Sequence, residues 1–130
     1  MCALNSLTTK DGSIIEVASI KREAIENIIV SAAVCPSIDA VVLFGSALEE
    51  RCNKDSDIDI AIISTKSINS LSKLKSFQEF LNRIYLFDMS QEYDRLYYKS
   101  LEYIGKNASH VQICGEIAKK GKIIYRKEVA

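Results

Sequence analysis

Residues 43–63 read LFGSALEERCNKDSDIDIAII, and this stretch decides the fold. Gly45 and Ser46 follow one apolar run, and Asp57 and Asp59 begin the next. Residues two apart on a strand point to the same face of a sheet, so both carboxylates leave one face. Two adjacent anions repel each other unless a cation lies between them. Carboxylate oxygens suit Mg²⁺, which commonly binds one or two carboxylates plus substrate phosphates. The pattern predicts a metal–phosphate site.

Each half of this pattern also has a plainer interpretation. Ser46 and Glu49 fit a capping box, in which case Gly-Ser is an ordinary turn from strand to helix. Asp57 and Asp59 fit a solvated strand face that alternates with buried isoleucines. Asp is depleted in strands, however, and two on one face carry a local cost that a functional site explains. Because the glycine turn lies just upstream and lets the backbone approach a ligand, we favour the site.

The Gly-Ser pair, ten intervening residues and the Asp-Ile-Asp triplet resemble the signature of the DNA polymerase beta-like nucleotidyltransferases. The chain length resembles that of the minimal, single-domain members. The similarity covers roughly residues 17–125. It implies one α/β domain over residues 1–130, with a mixed β-sheet, helices packed on one face and a metal site on the other.

The resemblance also implies roles for particular residues. The family's functional residues map onto three carboxylates for metal binding and catalysis and a pair for nucleotide binding: Asp57, Asp59, Asp94, Gly45 and Ser46. The implied cofactor is Mg²⁺, with Mn²⁺ as a substitute. Asp94 is expected to lower the pKa of the acceptor hydroxyl, and Asp88, in the preceding loop, is the rival third carboxylate.

The implied activity is transfer of a nucleoside monophosphate from an NTP, with ATP as the expected donor, to a hydroxyl acceptor. From the 130 residues of the sequence we expect no separate acceptor-binding domain. The resemblance therefore implies a partner, either a helical HEPN-type toxin modified on a tyrosine or a second copy in a homodimer. An antibiotic-modifying enzyme and a catalytically weak nucleotide-binding or partner-masking module are the alternatives. The weak-module alternative is suggested by the residues after Gly-Ser. Many members of the family have an arginine, another basic residue and a glycine there, where this chain has Ala47, Glu49 and Glu50.

Composition narrows the function classes further. The 17 basic and 17 acidic residues balance, which argues against a general nucleic-acid binder. The four cysteines lack C-x-x-C spacing and are expected to be reduced. The N-terminus lacks the basic start and apolar run of a signal peptide, and no window is apolar enough to span a bilayer. We expect a cytoplasmic protein without a membrane segment.

Periodicity and turn signals predict the order of elements. Residues 1–13 are expected to be a loose lead-in, followed by a helix that the Ser13–Glu16 pair caps. The predicted helices span about 16–34, 46–51, 70–84 and 108–120. The predicted strands span 39–44, 57–64, 92–98 and 122–125.

Overall fold

The computed structural model describes residues 1–128. A four-stranded mixed sheet has the order β5-β4-β3-β6, and a separate hairpin pairs β1 with β2. The strands are β1 Leu4–Thr8, β2 Ile14–Ala18, β3 Ala40–Phe44, β4 Ile58–Ile63, β5 Tyr93–Tyr98 and β6 Lys122–Arg126. The helices are α1 Arg22–Ala33, α2 Ile68–Ser72, α3 Lys75–Phe87, α4 Leu101–Lys106 and α5 Gln112–Lys120. The four predicted core strands are therefore present, within two residues at each end.

The sheet is mixed because β3 runs antiparallel to both β4 and β6, whereas β4 and β5 are parallel. Every residue of β3 is buried, and Asp59 is the only residue of β4 that is not. Continuous apolar runs of this kind belong to strands covered on both faces. The predicted single α/β domain with a mixed sheet is confirmed.

Helices lie on both faces of the sheet rather than on one, which corrects that part of the expectation. The larger core packs α1 and α3 against one face, where Val41 and Ile60 are fully buried. On the opposite face, α4 and α5 contribute Ile104 and Ile117 to a smaller core around Ala61. The two short helices cover the apolar part of this second face, whose polar end carries Asp59.

The expectation of a loose lead-in and a helix from residue 16 is wrong. Asp11 organises a tight turn, in which the Thr9 hydroxyl donates to its carboxylate over 2.5 Å and the Ser13 amide donates over 3.0 Å. Gly12 supplies the positive φ of 88°. The resulting hairpin buries Leu7, Ile15 and Val17 in the larger core. Strand pairing and core burial therefore override the capping pattern, and α1 begins at Arg22.

Three other helix predictions need smaller corrections. The segment predicted as a helix at 46–51 is a short 3-10 turn over Gly45–Leu48, here called the Gly-Ser turn. The helix predicted at 70–84 is divided into α2 and α3 by Lys73 and Leu74, and Ser67 caps α2 through the Ser70 amide. The helix predicted at 108–120 begins only at Gln112, and α4 precedes it, capped by Ser100. Among residues 1–128, no helix is long and apolar enough to cross a membrane.

Candidate functional site

The first contact of the site joins Gly45 to Asp59. Phe44, the last residue of β3, is the register partner of Asp59 on β4. The chain then turns at Gly45 with a φ of 76°. A Cβ placed on residue 45 would overlap the Asp59 carboxylate, with Cγ only 3.0 Å away. Residue 45 therefore needs glycine both for its backbone conformation and for the room it leaves the carboxylate.

The parallel pairing of β4 and β5 brings the Asp94 carboxylate alongside Asp59. Asp59 and Asp94 are register partners, so their side chains point to the same face of neighbouring strands about 4.8 Å apart. Asp57 lies one residue before β4 and is exposed, as is Asp94. The three carboxylates predicted from the sequence thus gather at one end of the sheet's second face, beside the Gly-Ser turn.

The clustering of the carboxylates changes the pKa of Asp59. Partial burial, and then repulsion from Asp94 and Asp57, raise the pKa of Asp59 to about 6. Glu116 on α5 adds to the repulsion, while Arg51 opposes it. Like charges held together in this way favour either a proton or a cation between them.

The donor set fits a divalent cation that is shared with phosphates. Among residues 1–128, no group of three or more His, Cys, Asp or Glu side chains is arranged so that it could hold a metal ion by itself. Mg²⁺ does not require one, because it keeps several waters and binds through one or two carboxylates plus substrate phosphates. Asp57 and Asp59, with the Gly-Ser turn beside them, offer that combination.

A buried lysine fixes the two loops that lead into the carboxylates. Lys21 is only 2% exposed, and its ammonium donates to Gln91 Oε1 over 2.6 Å and to the Lys54 carbonyl over 3.0 Å. The Gln91 amide in turn donates to the carbonyls of Ser56 and Glu92. One network therefore joins the loop before Asp57 to the residues just before β5, and it sets the approach of both strands.

Asp88, the rival third carboxylate, is placed differently. It follows α3, and its Oδ1 accepts hydrogen bonds from the Ser90 amide and from the Ser90 hydroxyl, at 3.0 and 2.6 Å. These hydrogen bonds lower the pKa of Asp88. It is not among the charges that shift Asp59. The geometry therefore places Asp94, rather than Asp88, beside the other two carboxylates.

The three residues after Gly-Ser that differ from the expected family pattern, Ala47, Glu49 and Glu50, have different environments in the structure. Arg51 Nε donates to Glu49 Oε2 over 2.5 Å. Glu50 is exposed, and its carbonyl accepts the Cys2 amide over 2.7 Å. Ala47 is fully buried beneath the turn. The position after Gly-Ser, which the resemblance led us to expect to be basic, is therefore used here for packing.

Sequence reasoning missed two residues that shape the site. Glu116 lies on an exposed part of α5, and nothing in its spacing separates it from an ordinary solvated helix residue. Lys21 lies between Ile20 and Arg22 just before α1, and nothing in this local sequence indicates that it is buried. Both reach the site through tertiary packing, which a single sequence does not display.

Comparisons with known proteins show the family of this chain and a solved structure with a similar fold. A family model described as "Polymerase beta, Nucleotidyltransferase" matches residues 23–129. A solved structure described as a mutant of the toxin–antitoxin MntA–HpeT is similar in fold, with a TM-score of 0.50 and 16% sequence identity. The match covers 79% of this chain and 74% of that one. A comparison with curated proteins gave no match. Because the family model spans most of the chain, this protein belongs to the polymerase beta nucleotidyltransferase family.

Proposed function

We propose that this protein transfers a nucleoside monophosphate from an NTP, with ATP as the donor, to a hydroxyl group of an acceptor. The observation that supports this most is the convergence of Gly45, Asp59 and Asp94 at one end of the sheet. A backbone turn that leaves room for a carboxylate, next to a second carboxylate, suits a metal-bound triphosphate. Family membership supports the transferase class.

Asp57 and Asp59 would hold Mg²⁺, or Mn²⁺ in its place, together with the triphosphate. When bound, the cation neutralises charge on the phosphates and on the leaving group. Asp94 would also be within the reach of a second metal ion. Gly45 and Ser46 would orient the β- and γ-phosphates by presenting the backbone of the turn to them.

The reaction is an in-line displacement at the α-phosphorus. The acceptor oxygen forms a bond to the α-phosphorus while the bond to the bridging oxygen of the β-phosphate breaks, and pyrophosphate leaves. Asp94 receives the hydroxyl proton. Its position suits this role because Asp94 is exposed and lies on β5, an edge strand of the sheet.

A tyrosine of a partner protein, such as a HEPN-type toxin, is our proposed acceptor. The fold resembles that of a chain in the toxin–antitoxin MntA–HpeT. An edge strand beside the site leaves one side open, and a partner or a second copy of the chain would complete it. The carboxylates Asp57, Asp59 and Asp94 would then be covered only when the acceptor is present.

The experiment is co-expression with the protein encoded next to this one, followed by labelled ATP and mass spectrometry. Label on a partner tyrosine, lost in Asp57→Asn, supports the proposal. Label on an aminoglycoside or lincosamide, with the partner unlabelled, would replace it with the antibiotic-modifying activity. If Mg-ATP binds but nothing is labelled, the protein is a nucleotide-binding or partner-masking module, the alternative favoured by Glu49 and Glu50.

A further inference from the structure

A cavity of about 630 Å³ adjoins the carboxylates on the side of the Gly-Ser turn. Gly45 lines it, and so does Glu116, whose charge acts on Asp59. The volume lies within the range of about 300–1,000 Å³ typical of small-molecule sites. Asp57, Asp59 and Asp94 do not line the cavity, but Gly45, which lies against the Asp59 carboxylate, belongs to both the cavity and the proposed metal–phosphate site.

The N-terminal hairpin forms one wall of this cavity. Leu4, Ile14 and Ile15 line it from β1 and β2, and Leu48 lines it from the Gly-Ser turn. The Cys2 amide ties the start of the hairpin to the Glu50 carbonyl, just after that turn. The family match begins at residue 23, so the hairpin lies outside the matched residues. The hairpin therefore adds an apolar wall to the cavity beside the Gly-Ser turn.

Two lysines form part of the opposite wall. Lys120 ends α5 and Lys122 begins β6, on either side of Gly121. Neither forms an ion pair with a carboxylate within residues 1–128, although Glu16 and Glu116 also line the cavity. The only other carboxylate in the lining, Glu49, is paired with Arg51.

Lys120 and Lys122 add positive charge to a site that otherwise has little of it. A triphosphate beside Asp57, Asp59 and Asp94 needs cations, yet the segment after Gly-Ser offers Glu49 and Glu50 and an arginine that Glu49 engages. The lysine ammonium is a flexible point charge that binds phosphate well. Resting on the proposed function, we infer that Lys120 and Lys122 bind the β- and γ-phosphates of the donor nucleotide, in the cavity that the hairpin lines.

The experiment compares Lys120→Gln, Lys122→Gln and the double variant with Lys119→Gln, an exposed neighbour on α5 that does not line the cavity. Calorimetry is run with Mg-ATP, with Mg-pyrophosphate and with AMP. Each cavity lysine should contribute roughly tenfold to the affinity for Mg-ATP and Mg-pyrophosphate, as expected for a charge-assisted contact. AMP binding should not change, and Lys119→Gln should behave as wild type.

The outcomes separate this inference from the proposed function. If wild type binds Mg-ATP and the double lysine variant binds it equally well, the lysine assignment is wrong while the proposed function stands. If AMP affinity falls as much as ATP affinity, the cavity holds the nucleoside half instead, which also overturns the assignment. If wild type does not bind Mg-ATP at all, the proposed function fails and this inference fails with it. Thermal melts of each variant establish that these exposed substitutions leave the fold intact.

Discussion

The Asp59 carboxylate occupies the space that a Cβ on residue 45 would fill. This relationship ties the backbone of the Gly-Ser turn to the side chain at the centre of the acidic cluster. The turn and the carboxylate therefore cannot vary independently. A side chain at position 45 would have to displace Asp59, and with it the geometry of any cation that Asp59 holds.

Gly45→Ala should therefore weaken both stability and ligand binding. The positive φ alone costs about 1–2 kcal/mol for a residue with a Cβ. Gly12 is the matched control, because its φ is also positive but a Cβ there would meet nothing within 4 Å. Urea unfolding should show a larger loss for Gly45→Ala than for Gly12→Ala. Equal losses, with unchanged Mg-ATP affinity, would contradict the proposed contact.

An Asp59→Ala background supplies a further control for the same relationship. Removing the carboxylate removes its overlap with the new Cβ, so the extra loss at position 45 should largely disappear. The coupling between the two substitutions should then be measurable as non-additivity in the free energy of unfolding. Additive effects would show that the two residues do not compete for the same space.

The stability of metal-free protein should depend on pH through Asp59. Its pKa is about 6 when folded, against an ordinary value of 3.8, so the folded state binds the proton more tightly. The stabilisation that the proton provides is complete below about pH 4 and is lost as pH rises to about 6 and above. Discounted for solvent exposure, the change is of order 1 kcal/mol.

Asp59→Asn isolates this dependence from all other titrating groups. The variant should be more stable than wild type at pH 7 without metal, and the difference should vanish near pH 4. Thermal unfolding across this range measures it. A variant that is less stable than wild type at pH 7 would mean that the Asp59 charge is already compensated within the protein.

Lys21 should contribute both to the stability of the fold and to the affinity of the site for Mg-ATP. Lys21→Met leaves the Gln91 side chain and the Lys54 carbonyl without their buried donor, at a cost of about 1–3 kcal/mol. Because these groups lead into the loops before Asp57 and β5, Mg-ATP affinity should also fall. Lys66→Met, an exposed substitution on another loop, is the control. A loss in Lys21→Met no larger than in this control would contradict the network.

The sequence predicted the central strands well because each is a short apolar run bounded by turn signals. Asp57 and Asp59 were identifiable because two carboxylates at the head of an apolar strand are costly without a purpose. Asp94 was predicted as the third carboxylate from the resemblance to the family. The register of β4 and β5 places it beside Asp59. The catalytic roles of these residues stay predictions.

The hairpin of β1 and β2 was not predicted from the sequence, and the reason is physical. Ser13 and Glu16 suit a helix start locally, and only the pairing of β1 with β2 over the larger core makes the strand more stable. The same limit applies to Glu116, Lys120 and Lys122. These residues look like a solvated helix end, and they come to the cavity only because α5 and β6 pack beside the Gly-Ser turn.

Asp94→Asn should separate binding from chemistry. The variant keeps Asp57 and Asp59, so it should still bind Mg-ATP within a few-fold of wild type. Without a group to receive the hydroxyl proton, transfer should fall by roughly 10²–10⁴. Single-turnover assays with labelled ATP measure this. Asp88→Asn is the control and should transfer normally. The reverse pattern, with Asp88→Asn inactive and Asp94→Asn active, would exchange the two roles.

The most direct measurement is Mg-ATP binding by calorimetry in wild type and in the Asp57→Asn/Asp59→Asn double variant. We predict divalent-dependent binding in wild type and none in the double variant. It also predicts that the double variant is folded and at least as stable without metal, because the repulsion around Asp59 is relieved. Unchanged Mg-ATP affinity in a folded double variant would contradict the assignment of this acidic cluster as the nucleotide and metal site.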